Sequence, residues 1–331
     1  MKIIEPSVNY VEKSDACKFI EFIGRTCYKS TDLITDTSAN KFVAGLIDRG
    51  HLAMIEHYWV HFVISHRTLS GVLSSFDDLA VKLGFRNRTD IIKYIQFTEA
   101  GNSVYMSMPL RVPVEWALFA KKHKKKDIPF IGHLSNPKVP VFEEVFGDFH
   151  SNEADNIIAV DEKIFLEMMM GDIRDASVYV EESAKHKTHT LLFVCDRGVS
   201  HELVRHRPCS FAQESTRYCN YSKEKFGNEI TLIRPFFFGD DDVKYSVWKL
   251  ACKNAEDGYF SLIALGATPQ EARSVLPNSL KTEIIVTANE VEWQHIINLR
   301  YHGTTGAPHP QMKEVMNLAY PLLIRESDFI M

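Results

Sequence analysis

The segment 205–218 constrains the fold more than any other part of the chain. Its fourteen residues include three arginines, one histidine, one glutamate and two serines. So polar a segment offers little to a buried core, and Pro208 prevents a helix from running through it. An apolar run, residues 191–195, lies shortly before it. The sequence therefore predicts a buried strand over 188–195, a short helix capped by Ser200, and a polar loop over 210–218.

The arginines of this segment indicate a binding site for phosphorylated ligands. Arginine is always charged, and its planar guanidinium binds two phosphate oxygens at once. The alternative interpretation is a solvated surface with local ion pairs. Two further arginines, Arg273 and Arg300, lie at the edges of predicted elements. Five such arginines exceed what one monophosphate needs and suggest a polyphosphate cofactor together with a second anionic ligand.

Composition excludes several classes of protein. The chain has 331 residues, a net charge of −5 and a pI of about 6.3, which argues against a protein acting mainly through nucleic-acid electrostatics. The basic run 121–126 is interpreted as a solvated helix end or loop. Six scattered cysteines without a CxxC pair, and no signal-peptide or membrane-spanning pattern, predict a cytoplasmic protein that contacts no membrane.

Several familiar motifs are missing, and two weaker ones invite alternatives. The chain contains no GxGxxG, GxxxxGK[ST] or GxSxG pattern. His51, Glu56 and His57 could suggest a metal, but their spacing is not HExxH, so we predict no metal site. Cys209 could be a nucleophile activated by its neighbours or a passive packed thiol. No base is evident for it, and we interpret it as non-catalytic.

Periodicity predicts the remaining elements in outline. A first helix over 15–23, capped by Ser14, should be followed by a polar loop at 25–30. The long helix over 241–265 should have a buried side formed by Val243, Val247, Leu250, Ala251, Ala255 and Leu262. Other predicted elements are helices at 39–48, 68–83, 113–120, 160–170, 289–300 and 310–325, and strands at 58–64, 91–97, 104–108, 230–233 and 282–288.

At this point the motifs resemble those of a known family. Arg205-His206-Arg207, seven residues, then Ser215-Thr216-Arg217 resembles the RHR-x7-S-x-R signature of flavin-dependent thymidylate synthases. Further resembling segments lie at residues 25–30, 50–57, 272–277 and 287–300. Order and spacing agree over 25–65 and 187–325, whereas 66–186 resembles an insertion.

The resemblance implies a fold and an activity. The fold would be α+β, a small, largely antiparallel sheet with packed helices of the thymidylate synthase-complementing type. The catalytic domain would comprise residues 1–65 and 187–331, with 66–186 as an inserted α/β segment. The family converts dUMP to dTMP with methylenetetrahydrofolate as carbon donor and hydride from FAD, which NADPH re-reduces. Its members are homotetramers with active sites shared between subunits.

The resemblance also implies roles for individual residues. Arg300 would act catalytically beside the pyrimidine. The residues expected to bind dUMP are Glu202, Arg205, Gln213, Glu214, Ser215, Arg217, Arg273 and Arg300. The residues expected to bind FAD are Ala53, Glu56, Arg205, His206, Arg207, Gln213, Asn289, His295 and His309.

The chain departs from the family pattern at three positions. Ala53 stands where the family usually has Ser or Thr, Gln213 where some members have Glu, and Val291 where the family commonly has Arg. These departures leave open a catalytically inactive or regulatory homologue that binds nucleotides or RNA. Another flavin-dependent enzyme acting on nucleotides is a third possibility. We expect altered cofactor affinity with retained activity, because the other arginines are present.

Overall fold

A computed structural model describes residues 1–82, 94–124, 145–147, 157–216, 220–222 and 227–331. The strands are β1 (Lys2–Ile4), β2 (Ser7–Tyr10), β3 (Trp59–Ser65), β4 (Gln96–Ala100), β5 (Ser103–Pro109), β6 (Ile157–Val160), β7 (Thr188–Asp196), β8 (Ser210–Gln213), β9 (Thr231–Ile233) and β10 (Lys281–Asn289). The α-helices are α1 (Ala16–Tyr28), α2 (Ser38–Asp48), α3 (His66–Lys82), α4 (Arg111–Lys122), α5 (Glu162–Asp172), α6 (Ala176–Ser183), α7 (Arg197–Leu203), α8 (Val243–Ala264), α9 (Pro269–Ala272), α10 (Glu290–Ile297) and α11 (Pro310–Glu326). Short 3-10 turns cover Thr31–Leu33, Ile55–His57 and Arg273–Val275, and Asn298–His302 is a π-helix.

The central sheet is antiparallel, with strand order β2-β7-β10-β8. β7 and β10 pair along their whole length, from Lys281 opposite Asp196 to Asn289 opposite Thr188. β8 pairs with β10 on its other side, so the residues after the signature turn lie on an edge strand. This arrangement confirms the predicted α+β class with a largely antiparallel sheet.

A second antiparallel sheet, of order β4-β5-β3-β6, is formed largely by strands of the predicted insertion. Its strand β3 belongs to the predicted catalytic part, whereas β4, β5 and β6 belong to 66–186. One buried apolar cluster therefore includes Ile20 and Ile55 together with Met106 and Trp116. The proposed boundaries at 65 and 186 stay a prediction, but the two parts share a core.

Alternation along the central sheet gives it two different faces. On one face, Ala212 and Ile285 pack with Phe19 and Ile23 of α1. On the other, Phe193 joins a larger buried cluster built from α7, α10 and α11. This alternation decides on which face each polar side chain of β8 and β10 lies.

The first helix is longer than predicted. It begins after Asp15, whose carboxylate accepts hydrogen bonds from the next turn, so Ser14 is not the cap. Gly24 does not end it: a Cβ there would lie 2.7 Å from Phe42, so glycine lets α2 approach closely. The predicted loop at 25–30 is therefore mostly helical, and the helix ends at Lys29 in the left-handed region.

The predicted buried face of the long helix is wrong over its first half, whereas Ala255 and Leu262 in its second half are half-buried. Val243, Val247 and Leu250 of α8 are 76%, 63% and 62% exposed. The helix instead buries Cys252, Glu256 and Tyr259. Periodicity of apolar residues missed this face because its central residue is a carboxylate, Glu256, which accepts a hydrogen bond from the Ile230 amide at 3.1 Å.

Other predictions shift by a few residues. Residues 210–213 form strand β8 rather than a loop, and α7 begins at Arg197, with Asp196 instead of Ser200 as its cap. Part of the predicted strand at 91–97 lies outside the described residues. Within the described ranges, no helix is long and apolar enough to cross a membrane.

Candidate functional site

The signature residues form a compact turn between α7 and β8. The Asp196 carboxylate accepts a hydrogen bond from the Val199 amide at 2.7 Å and so starts α7 at the end of β7. After α7, the His206 amide donates to the Leu203 carbonyl and the Cys209 amide to the His206 carbonyl. Arg205 and Arg207 are exposed, whereas His206 between them is buried. The turn thus directs two guanidinium groups to solvent and one imidazole inward.

Arg300, in the π-helix that follows α10, contacts this turn. Its Nη1 donates to Glu202 Oε2 at 2.8 Å, and its Nε donates to His206 Nε2 at 3.2 Å. Arg300 and Glu202 side chains are 22% and 27% exposed. We call Glu202, His206 and Arg300 the arginine triad. The structure thereby brings together three predicted site residues from α7, the signature turn and the π-helix.

The contact with Arg300 fixes the tautomer of His206. Because Nε2 accepts the Arg300 hydrogen, the neutral ring carries its proton on Nδ1. Burial, the Arg300 charge and His295 together lower the pKa of His206 to about 4. The imidazole is therefore neutral at physiological pH, and its Nδ1–H is a hydrogen-bond donor.

His206, Glu292 and His295 come within metal-ligand distance of one another, with their nearest ligand atoms inside 4.8 Å. A metal would need a lone pair on a His206 nitrogen. Nε2 uses its lone pair for Arg300, and Nδ1 carries the proton. The described arrangement therefore does not present His206 as a ligand. Burial raises the pKa of Glu292, which also weakens it as an anionic ligand.

Arg300 sits in a π-helix, which the sequence did not predict. Residues Asn298–His302 continue α10 with a wider turn, and the segment ends at Gly303 with φ of 70°. A Cβ on Gly303 would lie 3.1 Å from the Gly306 carbonyl oxygen, so glycine is required both by φ and by space. Single π-turns inside α-helices occur frequently at functional sites. Here the wide turn sets the direction of Arg300.

Glu56 lies against the first residue of β8. Ser210 Oγ is 3.2 Å from both the carbonyl oxygen and Oε1 of Glu56. Arg111, at the start of α4, donates from Nη1 to Glu56 Oε2 at 2.9 Å. Ala53, just before this turn, is exposed. The early predicted motif thus reaches the signature strand through Glu56.

Gln213 and Glu214 were both predicted substrate contacts, but they lie on opposite sides of the sheet edge. Gln213 Nε2 donates to Ser200 Oγ of α7 at 2.8 Å, on the side of the arginine triad. The Glu214 carboxylate lies 3.1 Å from Lys281 Nζ and 3.5 Å from Lys29 Nζ, on the α1 side. Whether either one touches substrate stays a prediction.

Glu214, itself buried, belongs to a cluster with Lys29, Lys281 and Glu283, which are half-buried. Lys281 and Lys29 each also pair with Glu283. We call these four residues the lysine cluster. Burial alone would raise the pKa of Glu283, but Lys281 and Lys29 outweigh burial and lower it. For Lys281 the signs are opposite: burial alone would lower the pKa of its ammonium group, but Glu214 and Glu283 outweigh burial and raise it. The opposite charges beside Glu283 and Lys281 therefore favour the charged form of each.

Of four other predicted site residues, the structure describes Arg273, Ser215 and Asn289. Arg273 is exposed and donates to Thr216 Oγ1 at 3.2 Å, beside the half-buried Ser215. Arg217 lies outside the described residues. Asn289 caps α10: its Oδ1 accepts from the Glu292 amide, and its Nδ2 donates to the Lys185 carbonyl. Its side chain is thus already engaged within the fold.

His309 is exposed at the start of α11, near a cavity of about 660 Å³. This cavity is lined by His302, Gly303, Pro308, Pro310, Glu314 and others. A second cavity of about 590 Å³ adjoins the lysine cluster and is lined by Lys29, Glu214, Tyr221 and Lys281 among others. Glu202, His206 and Arg300 line neither of these two cavities.

Burial raises the pKa of the Cys209 thiol. The thiol is 5% exposed and remains protonated at neutral pH. Burial therefore opposes activation of the thiol by neighbouring cations, and the non-catalytic role of Cys209 stays a prediction.

Sequence reasoning gave no role in the site to Arg111, Ser200, Lys29 or Lys281. Arg111 belongs to the unassigned insertion, and no motif surrounds it. Lys29 lay inside a segment noted for its resemblance, but its partners are 185 and 254 positions away. No local pattern indicates contacts of such separation, so only the fold could show them.

The family model described as "Thymidylate synthase complementing protein" matches residues 165–326. A flavin-dependent thymidylate synthase of Pyrococcus furiosus is 36% identical over 121 residues, 36% of this chain and 49% of that protein. One from Geobacter sulfurreducens is 36% identical over 104 residues, 31% of this chain and 43% of that protein. The chain therefore spans about half the length of the curated relatives it matches.

Among solved structures, a UMP/dUMP methylase, PolB, from Streptomyces cacaoi, bound with 5-Br dUMP, aligns over 50% of this chain and 77% of its own. The identity is 20% and the TM-score 0.37. At that TM-score the likeness supports no conclusion about this chain.

Proposed function

Residues 165–326 of the chain belong to the thymidylate synthase complementing protein family, and on that premise we propose that the protein is a flavin-dependent thymidylate synthase. It would methylate dUMP to dTMP with methylenetetrahydrofolate as carbon donor, FAD as redox cofactor and NADPH as reductant. The arginine triad carries this proposal. In it, Glu202 and His206 orient the Arg300 guanidinium beside the signature turn. The N–H groups of Arg300 that these contacts do not use can donate to a ligand.

The chemistry of Arg300 suits a substrate that develops negative charge. A guanidinium has five N–H donors, and the described contacts to Glu202 and His206 engage two of them. The remaining donors can meet the pyrimidine edge of dUMP. A cation that is already oriented stabilises an anion without reorganising during the reaction. Arg300 would thus favour the ionised pyrimidine when its C5 proton is replaced.

The exposed guanidinium of Arg273, beside Ser215 and Thr216, provides a candidate phosphate contact for dUMP. Guanidinium and hydroxyl donors are the groups that bind a phosphate monoester. Gln213, held by Ser200 on the arginine-triad side, would contact the same nucleotide. Glu214, whose charge the lysine cluster already neutralises, is the weakest of the proposed substrate contacts.

The donor groups of the signature turn fit FAD. Arg205 and Arg207 offer two exposed guanidinium groups to its phosphates, and His206 offers a neutral Nδ1–H. Val291, 41% exposed, supplies no charge where the family commonly has arginine. Glu56 and His295 complete the set proposed for the cofactor, with Ala53, Asn289 and His309 as further candidates. When bound, FAD would supply hydride to the transferred one-carbon group.

We expect the working protein to be a cytoplasmic homotetramer. Arg205, Arg207 and Arg273 are exposed on the single chain, as expected if a second subunit completes each site. Size-exclusion chromatography with light scattering measures the assembly. A monomer that is fully active would contradict this part of the proposal.

The direct test is purification followed by a tritium-release assay. We expect a yellow protein that releases tritium from dUMP labelled at C5 only when NADPH and methylenetetrahydrofolate are present. A colourless protein that takes up no flavin would refute the proposed function. Salt-dependent RNA binding without tritium release would support the regulatory alternative instead.

A further inference from the structure

We infer that Arg111, in the part of the chain that the family model leaves unmatched, is a positioning residue for the proposed flavin site. It would act by holding the Glu56 carboxylate against the signature strand. The inference rests on the proposed function, since it assigns Glu56 to the cofactor. It gives the predicted insertion a role in the site that the sequence did not indicate.

The backbone places Arg111 near Glu56 before any side chain is considered. Trp59 of β3 pairs with Pro109 of β5, and the Leu110 amide donates to the Tyr58 carbonyl at 2.7 Å. Arg111 is the next residue and begins α4. The end of the second sheet therefore brings the first turn of α4 to the 3-10 turn that carries Glu56.

The side chains then form a chain of oriented contacts. Arg111 Nη1 donates to Glu56 Oε2 at 2.9 Å, while its Nε donates to Glu115 Oε1 at 2.8 Å. Two edges of the planar guanidinium are thus occupied, which fixes its orientation. Ser210 Oγ lies 3.2 Å from the other carboxylate oxygen, Oε1. Glu56 is held on both oxygens, by the insertion on one side and by β8 on the other.

The solvent exposure of the Arg111–Glu56 ion pair indicates that it affects the site more than the stability of the fold. Arg111 and Glu56 side chains are 39% and 30% exposed, and ion pairs with this exposure contribute little to folding stability. Their main consequence is the orientation and charge of Glu56. Ser210, three positions after Arg207, connects that carboxylate to the turn proposed to bind the cofactor phosphates. Without Arg111, Glu56 would be an unpaired anion beside an anionic ligand.

The test is FAD titration of the apoprotein, followed by flavin fluorescence. We expect Arg111→Met to raise the Kd about fivefold, the scale of a partly exposed ion pair acting through its partner. Arg111→Lys, which keeps the charge but not the planar fork, should recover part of the loss. Glu115→Gln is the matched control: it removes the neighbouring charge but keeps the contact with Glu56, and should stay within about twofold of wild type.

A double-mutant cycle separates positioning from a direct or purely structural role. In a Glu56→Gln background, Arg111→Met should have almost no further effect on the Kd, and the thermal midpoint of each variant should stay close to that of its parent. An undiminished effect in that background, or an unchanged Kd in Arg111→Met itself, would overturn the inference and leave the proposed function intact. A wild-type protein that binds no FAD would overturn both.

Discussion

Two groups of charged residues lie on opposite faces of the same sheet edge, and they differ in what they leave available. The lysine cluster pairs two lysines with two glutamates, so that each charge has an opposite charge beside it. In the arginine triad, the described contacts of Arg300 are to one carboxylate and to one imidazole, and they engage only part of its donors. A group of mutually compensating charges stabilises the fold, whereas a cation with donors left over can bind a ligand.

Replacing Arg300 should give the largest change in activity of all the variants. A small change would contradict the distinction between the arginine triad and the lysine cluster. We expect Arg300→Ala to reduce tritium release about 100- to 1000-fold, the scale measured when one oriented donor is removed from a transition-state site. The free energy of unfolding should change little, since the residue is partly exposed. Activity within tenfold of wild type would mean that the triad is not the catalytic element.

Replacing Lys281 should show the opposite pattern. Lys281→Met leaves Glu214 and Glu283 with Lys29 alone, and removing one cation from a largely buried ion group typically costs about 2 kcal/mol. We expect that loss in the free energy of unfolding from urea titrations. Tritium release per folded molecule should stay near that of wild type. A large loss of activity without a loss of stability would assign the lysine cluster to the site.

Buried histidines, including His206 of the arginine triad, should make the fold sensitive to acid. Burial lowers the pKa values of His57 and His186 to about 3, whereas an unfolded histidine titrates near 6.5. Between these values the unfolded chain binds more protons. Stability is therefore complete above about pH 6.5 and falls with acid, by roughly 1.4 kcal/mol per pH unit for each histidine.

Urea titrations at several pH values between 7.5 and 4.5 measure this slope. His57→Gln should flatten it, because glutamine does not titrate. Lys281→Met should lower stability throughout this range and should change the slope only toward its acid end, because Glu283 loses a cation that lowers its pKa. An equal slope in wild type and His57→Gln would mean that His57 binds protons equally in the folded and unfolded chain, which would contradict its lowered pKa.

The central strands and the signature turn could be predicted from the sequence because both have local signals. Residues 188–195 alternate and are apolar, and Pro208 limits the helix before the turn. The contacts that organise the site are not local. Glu202 and Arg300 are 98 positions apart, and Arg111 reaches Glu56 only through the pairing of β3 with β5. The prediction of the buried face of α8 was wrong for a related reason. Glu256 is buried against the Ile230 amide and the N-terminal amine, and the spacing of apolar residues does not indicate these contacts.

The π-helix that carries Arg300 has a consequence for how other sequences should be compared with this one. A turn of five residues in place of four rotates everything after it by about 100° relative to a regular α-helix. The eleven-residue spacing between Asn289 and Arg300 therefore encodes a direction in space as well as a distance. A homologue that lacks one residue in this interval would present its arginine toward a different neighbour, even if an alignment restored the match with a gap.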